Sequence, residues 1–158
     1  AVNGPCAGIS YSYAMACDLV LMAESSYLYQ PFVGIGLVPD GGATWLLPHL
    51  VGSKRAYELM ALGEKVSAEK AVEWGLANRV LADDGFAQAS MAFAQDLSER
   101  SPLALRYTKE ALNFSAAHNL SDTISKEAAL QSICIGSADS KEAITAFFEK
   151  RTPAWKGK

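Results

Sequence analysis

The chain has 158 residues, of which half are apolar and 20% are charged, and its formal net charge is -3. This composition is typical of a folded globular protein and excludes a disordered chain. The weakly acidic balance argues against a nucleic-acid partner, and no apolar run reaches the about 18–20 residues of a membrane-spanning helix.

Few residues are available as metal ligands or as disulfide partners. No two of the three cysteines are spaced as in a CxxC motif, and only two histidines are present: Cys6, Cys17, Cys134, His49 and His118. We therefore expect no metal site. An odd number of cysteines without a disulfide framework favours a reducing compartment, and the expected location is the cytoplasm.

The first fifty residues are rich in glycine and contain short apolar runs. Residues 1–4 resemble the end of a strand, so we expect an upstream segment before them. Small residues at helical spacing predict a helix that begins just after Gly8. The apolar runs at 18–22 and 27–29 predict two short buried strands.

From about residue 51 the chain is predicted to be helical. Serine, proline and glycine at the expected ends predict six helices, at residues 53–62, 67–74, 86–100, 102 onward, 121–136 and 140–150. The composition divides the chain into a core region at 1–52 and a helical region at 53–158. These patterns alone indicate an α/β or mostly helical protein.

Three segments of the chain together form a specific combination of motifs. They are AVNGPCAG at residues 1–8, GIGLVPDGGAT at 34–44 and SAEKAVEWGL at 67–76. Together with FFEKR at 147–151, they resemble the crotonase (enoyl-CoA hydratase/isomerase) superfamily over nearly the whole chain. The resemblance implies the second half of an α/β, ClpP-like ββα spiral, followed by C-terminal helices that form trimers.

The resemblance also implies an oxyanion hole at the turn that follows residue 7. The backbone N–H of Ile9, next to Gly8, is the matching donor, and the substrate is a coenzyme A thioester without a further cofactor. A second N–H is expected to lie outside the 158 residues. The two glutamates of the hydratases fall on Ser12 and Phe32, neither of which can act as a general acid or base.

Asp40 is the carboxylate that matches a catalytic base in isomerases of the superfamily. The run at residues 38–48, VPDGGATWLLP, resembles the ring isomerases of phenylacetate degradation. One aspartate suits an isomerase, because it can take a proton from one carbon and return it to another. Burial beside Phe32 would make it a better base. The structural alternative is that Asp40 only forms a turn and caps a helix at residues 41–48.

Five positions have weaker implied roles in substrate binding. Gly8, Phe32 and Tyr13 are expected to line the acyl pocket, and core packing is the alternative for Tyr13. Phe147 and Lys150 lie three positions apart and match a surface that binds coenzyme A. The alternative is a solvated lysine beside a core phenylalanine.

The implied function is isomerisation of an unsaturated or cyclic acyl-CoA by a homotrimer or a hexamer. Hydration or thioester hydrolysis by groups outside this chain remains an alternative. A homologue that binds acyl-CoA without catalysis is another, because both hydratase glutamates are missing. We expect the 158-residue chain to be inactive alone.

Overall fold

The computed structural model describes residues 1–158. These residues form two compact units, Ala1–Ala92 and Phe93–Lys158. The sequence places a boundary after residue 52 by composition, whereas packing divides the chain further along. The reason is that the two helices at residues 53–62 and 68–73 pack against elements of the first unit.

The first unit contains five short strands and most of the irregular structure. The strands are β1 (Pro5–Ala7), β2 (Leu21–Ala23), β3 (Tyr27–Tyr29), β4 (Val66–Ser67) and β5 (Arg79–Leu81). β3 lies between β1, to which it is parallel, and β4, to which it is antiparallel. β2 pairs in parallel with β5 in a second sheet. Parallel pairs of this kind need crossover connections, which helices supply here.

Four helices and one 3-10 turn complete this unit. They are α1 (Ile9–Met15), the 3-10 turn Phe32–Ile35, α2 (Ala43–Val51), α3 (Ser53–Leu62) and α4 (Ala68–Glu73). The core forms where fully buried Met22 and Leu28 of the strands meet Leu47 of α2. Buried alanines at positions 43, 68 and 71 let the helices approach closely. A fifth helix, α5 (Phe86–Ser98), spans the point of division.

The second unit is helical. It contains α6 (Pro102–Ser115), α7 (Leu120–Gly136) and α8 (Ala138–Glu149), packed in sequence order. The residue before each helix accepts a hydrogen bond from the first turn through its side chain: Ser101, Asn119 and Ser137. Such caps satisfy backbone N–H groups that the helix leaves unpaired.

Most of the local predictions are confirmed. α1 begins after Gly8, β3 coincides with residues 27–29, and Gly63 ends α3. Ser67 caps α4 by accepting from the Lys70 N–H at 3.3 Å. No helix of the chain is both long and apolar enough to cross a membrane.

Several predicted boundaries are wrong. The buried strand expected at residues 18–22 is β2, which begins at Leu21 and ends at Ala23. α2 begins at Ala43 and not at residue 41, because two residues with positive φ precede it. α3 spans Ser53–Leu62, as predicted, but its N-cap is Gly52 and not the serine. α8 ends at Glu149, because Lys150 adopts a left-handed conformation with φ 55.

Candidate functional site

The turn between β1 and α1 depends on a glycine. Gly8 has φ 60 and ψ -129, close to the first central position of a type II′ turn, where glycine is favoured. Its N–H donates to the Tyr29 carbonyl at 2.9 Å, which ties the turn to β3. A Cβ at this position would lie 3.6 Å from the Phe32 ring. The aromatic ring therefore lies directly against the turn.

The N–H of Ile9 lies at the start of α1. The first N–H groups of a helix have no acceptor within the helix, and the Gly8 carbonyl is used by the Tyr11 N–H at 3.0 Å. The Ile9 side chain is 43% exposed. This arrangement leaves the Ile9 N–H available as a donor to a ligand.

Asp40 lies at the start of a tight turn that precedes α2. The Ala43 N–H donates to the Asp40 carbonyl at 3.2 Å, and the two residues between them, Gly41 and Gly42, have φ of 63 and 89. Two successive positive φ values are the signature of a type I′ turn, which glycine permits.

This turn is docked onto α1. A Cβ at Gly41 would lie 2.9 Å from Cβ of Ser12 and 3.0 Å from Cγ1 of Ile9. The Ser12 hydroxyl, which is completely buried, donates to the Asp40 carbonyl at 2.8 Å. The structure therefore brings the turn that contains Asp40 into direct contact with the first two turns of the helix that begins at Ile9.

The carboxylate of Asp40 does not have the structural role that the sequence offered as an alternative. The N-cap of α2 is Gly42, and no side chain caps this helix. Asp40 is exposed, and its carboxylate takes part in none of the side-chain hydrogen bonds or ion pairs of the chain. The helix-capping alternative is wrong. The expected burial beside Phe32 is not found in this chain either.

Phe32 is half-buried and Tyr13 is 60% exposed. Tyr13 is therefore not packed in the core of this chain, whereas Tyr11, of which only 1% is exposed, is. Burial raises the pKa of the Tyr11 hydroxyl far above its usual range, and the nearby Cys6 thiol adds to the effect. One end of α1 therefore brings together the Gly8 turn with the Phe32 ring and the Asp40 turn with Ile9.

The two residues predicted to bind coenzyme A lie in the second unit. Phe147 is 78% exposed and meets Phe148 edge to face, with ring centroids 5.7 Å apart. Phe147 is therefore not part of the core of this chain. Lys150 is exposed and lies past the end of α8, so helical spacing does not place it on one face with Phe147. No group of three or more His, Cys, Asp or Glu side chains is arranged so that it could hold a metal ion.

Sequence reasoning missed the contribution of two residues to this site. It treated Ser12 only as the replacement for a glutamate and Gly41 only as part of an ordinary turn. The available signals were a serine among apolar residues of a helix and a second glycine after the aspartate. Neither signal identifies a partner that is 28 positions away in the sequence.

Comparison with known proteins gives consistent matches along the whole chain. A family model described as enoyl-CoA hydratase/isomerase matches residues 1–158. The 1,2-epoxyphenylacetyl-CoA isomerase of Escherichia coli (strain K12) is 37% identical over 158 residues, which cover 100% of this chain and 60% of the relative. This similarity agrees with the resemblance of residues 38–48 to the ring isomerases.

Hydratases match equally well. A probable enoyl-CoA hydratase of Rhodobacter capsulatus is also 37% identical, over 100% of this chain and 62% of the relative. The crystal structure of an enoyl-CoA hydratase from Bacillus anthracis superposes with a TM-score of 0.93 at 32% identity, covering 98% of this chain and 60% of that one. The chain therefore has the fold of these proteins over about 60% of their length.

Proposed function

Because the chain belongs to the enoyl-CoA hydratase/isomerase family, we propose that the protein containing it isomerises an acyl-CoA through a thioester enolate. The observation that supports this best is the unpaired carboxylate of Asp40 on a turn docked against α1, at whose start lies the Ile9 N–H. The name of the isomerase from Escherichia coli is in keeping with it.

The proposed mechanism uses one carboxylate twice. Asp40 removes a proton from a carbon made acidic by the thioester, and the electron pair moves onto the thioester oxygen. The Ile9 N–H donates to that oxygen, an interaction worth about 3–4 kcal/mol in the transition state. The protonated Asp40 then returns the proton to another carbon. Proton transfer of this kind contributes roughly 10²–10⁴-fold to the rate.

The residues at the two hydratase positions do not favour addition of water. The Ser12 hydroxyl is buried and donates its proton to the Asp40 carbonyl, so it is not free to activate water. Phe32 has no titratable group, and its ring lies against Gly8. Hydration is the second candidate, because several relatives are named as hydratases. Thioester hydrolysis and acyl-CoA binding without catalysis are the remaining alternatives.

The other elements of the proposal follow from the family. Phe32 and Tyr13 would line the acyl pocket beside Gly8, and Phe147 and Lys150 would contact coenzyme A. The protein would act as a homotrimer or as a hexamer of two trimers. The three free cysteines favour the cytoplasm.

The experiment is the substitution Asp40→Asn in the whole protein. Isomerisation of 3-hexenoyl-CoA should fall by roughly 10²-fold or more, with an unchanged circular dichroism spectrum. The matched control is Asp84→Asn, which removes another exposed carboxylate in a loop and should leave the rate unchanged. Full activity of Asp40→Asn, or hydration of crotonyl-CoA faster than isomerisation, would refute the proposal.

A further inference from the structure

The Ser12 hydroxyl makes an unusual hydrogen bond for a serine within a helix. Serine and threonine inside helices commonly donate to the carbonyl four residues earlier. Ser125, Ser132 and Thr145 of this chain do so, at 2.9–3.0 Å. Ser12 donates instead to the Asp40 carbonyl, 28 positions away and outside its helix.

From this contact we infer that Ser12 is a positioning residue, which holds the Asp40 carboxylate at a fixed place relative to the Ile9 N–H. The inference rests on the proposed function of Asp40. Ser12 lies three residues after Ile9, close to one turn of α1. The Ser12 hydroxyl and the Ile9 N–H are therefore held at a fixed distance by the same helix. The Ser12 end of this hydrogen bond is completely buried, which limits competition from water at the hydroxyl.

A second contact restricts the same turn. Gly41 packs so closely on α1 that a Cβ would lie 2.9 Å from Cβ of Ser12. The Asp40 carbonyl also accepts from the Ala43 N–H at 3.2 Å. The backbone of Asp40 is thus fixed on one side by its own turn and on the other by Ser12. Without the hydroxyl, the turn keeps its internal hydrogen bond and its packing on α1 but loses its hydrogen bond to α1, so the position of Asp40 is less restricted.

The placement of the base matters more for rate than for binding. A displacement of about 1 Å in a reacting group can cost about 10²-fold in rate. The Ser12 hydroxyl bonds to the Asp40 carbonyl and to none of the residues proposed to contact coenzyme A. Loss of the hydroxyl should therefore lower kcat and leave KM for the acyl-CoA nearly unchanged.

The test compares Ser12→Ala with Ser26→Ala in the whole protein. Ser26 is also buried and also donates to a backbone carbonyl, that of Ala23 at 2.7 Å, so its loss has a similar structural cost away from the site. With 3-hexenoyl-CoA as the probe, kcat of Ser12→Ala should fall about 10- to 100-fold. KM should change less than about twofold, and Ser26→Ala should retain the normal kcat.

A double substitution separates positioning from general damage. In the Asp40→Asn background, Ser12→Ala should not lower the residual rate further, because the group that Ser12 positions is already gone. If Ser12→Ala does not fold, Ser12→Cys replaces it. The thiol has a similar shape and is a weaker donor, so the loss in kcat should be smaller.

Each outcome decides one point. Normal kcat in Ser12→Ala, with Asp40→Asn inactive, would overturn the positioning role and leave the proposed function standing. An equal loss on adding Ser12→Ala to Asp40→Asn would also overturn it, because the hydroxyl would then act on something else. Full activity of Asp40→Asn would instead refute the proposed function.

Discussion

Gly41→Ala is the substitution whose effect can be worked out most directly from the structure. Gly41 has φ 63, and a residue with a Cβ costs about 1–2 kcal/mol in this left-handed region. The added Cβ would also lie 2.9 Å from Cβ of Ser12 and 3.0 Å from Cγ1 of Ile9. These are atoms of a helix that cannot retreat freely, and overpacking of this kind costs about 1–3 kcal/mol. The free energy of unfolding should fall by about 2–5 kcal/mol in total.

Gly75→Ala is the matched control, because it separates backbone strain from overpacking. Gly75 has φ 75, and nothing lies within 4 Å of a Cβ placed there. It should cost only the strain, about 1–2 kcal/mol. The measurement is urea unfolding of both variants in the whole protein, followed by the isomerisation rate. If the two variants lost equal stability, or if Gly41→Ala kept full activity, the docking of the Asp40 turn onto α1 would be refuted.

Two further predictions concern the C-terminal tail. The buried carboxylate of Asp139 accepts from the N–H groups of Lys156 and Gly157 at 2.7 and 3.1 Å. Asp139→Ala should therefore lower the free energy of unfolding by about 3 kcal/mol and expose the tail to limited proteolysis, and an unchanged cleavage pattern would contradict this. Two hydrogen bonds lower the pKa of Glu142 from its ordinary 4.5 to about 2: the larger effect comes from the Arg151 side chain and the smaller from the Ala154 N–H. This contribution to stability is complete above pH 4.5 and is lost as the pH falls toward 2, so urea unfolding across this range should show a dependence that Glu142→Gln lacks. Equal pH dependence in both proteins would disprove it.

The sequence predicted those parts of the fold that depend on neighbouring residues. Gly8 before a helix, Gly63 after one, and Ser67 as a cap are local signals, and each acts within about one turn of the chain. β4 and β5 were missed because each is only two or three residues long. Their pairing depends on β2 and β3, which lie some 40–60 positions earlier. No local sequence pattern predicts which strand will pair with a segment that far away.

The start of α2 shows how a correct local signal can give a wrong boundary. Asp followed by two glycines is typical both of a helix cap and of a tight turn. The structure adopts the turn, because Gly41 must approach α1 more closely than any residue with a Cβ could. The helix therefore begins at Ala43, and the Asp40 carboxylate is left without a structural partner. The sequence motif identified Asp40 as a candidate residue. The contact between Gly41 and α1 determines that its carboxylate does not cap α2.

The residue at position 12 directly affects the surroundings of Asp40, because its side chain contacts the Asp40 carbonyl. A glutamate at position 12 would be an acceptor when ionised. It would meet the Asp40 carbonyl without a donor, in a place where Ser12 is completely buried. The turn could not then dock as it does here, because an unpaired charge in such a place is costly. Ser12 is compatible with the docked turn, because its hydroxyl supplies a donor to the Asp40 carbonyl. This contact supports the proposed chemistry with a single base.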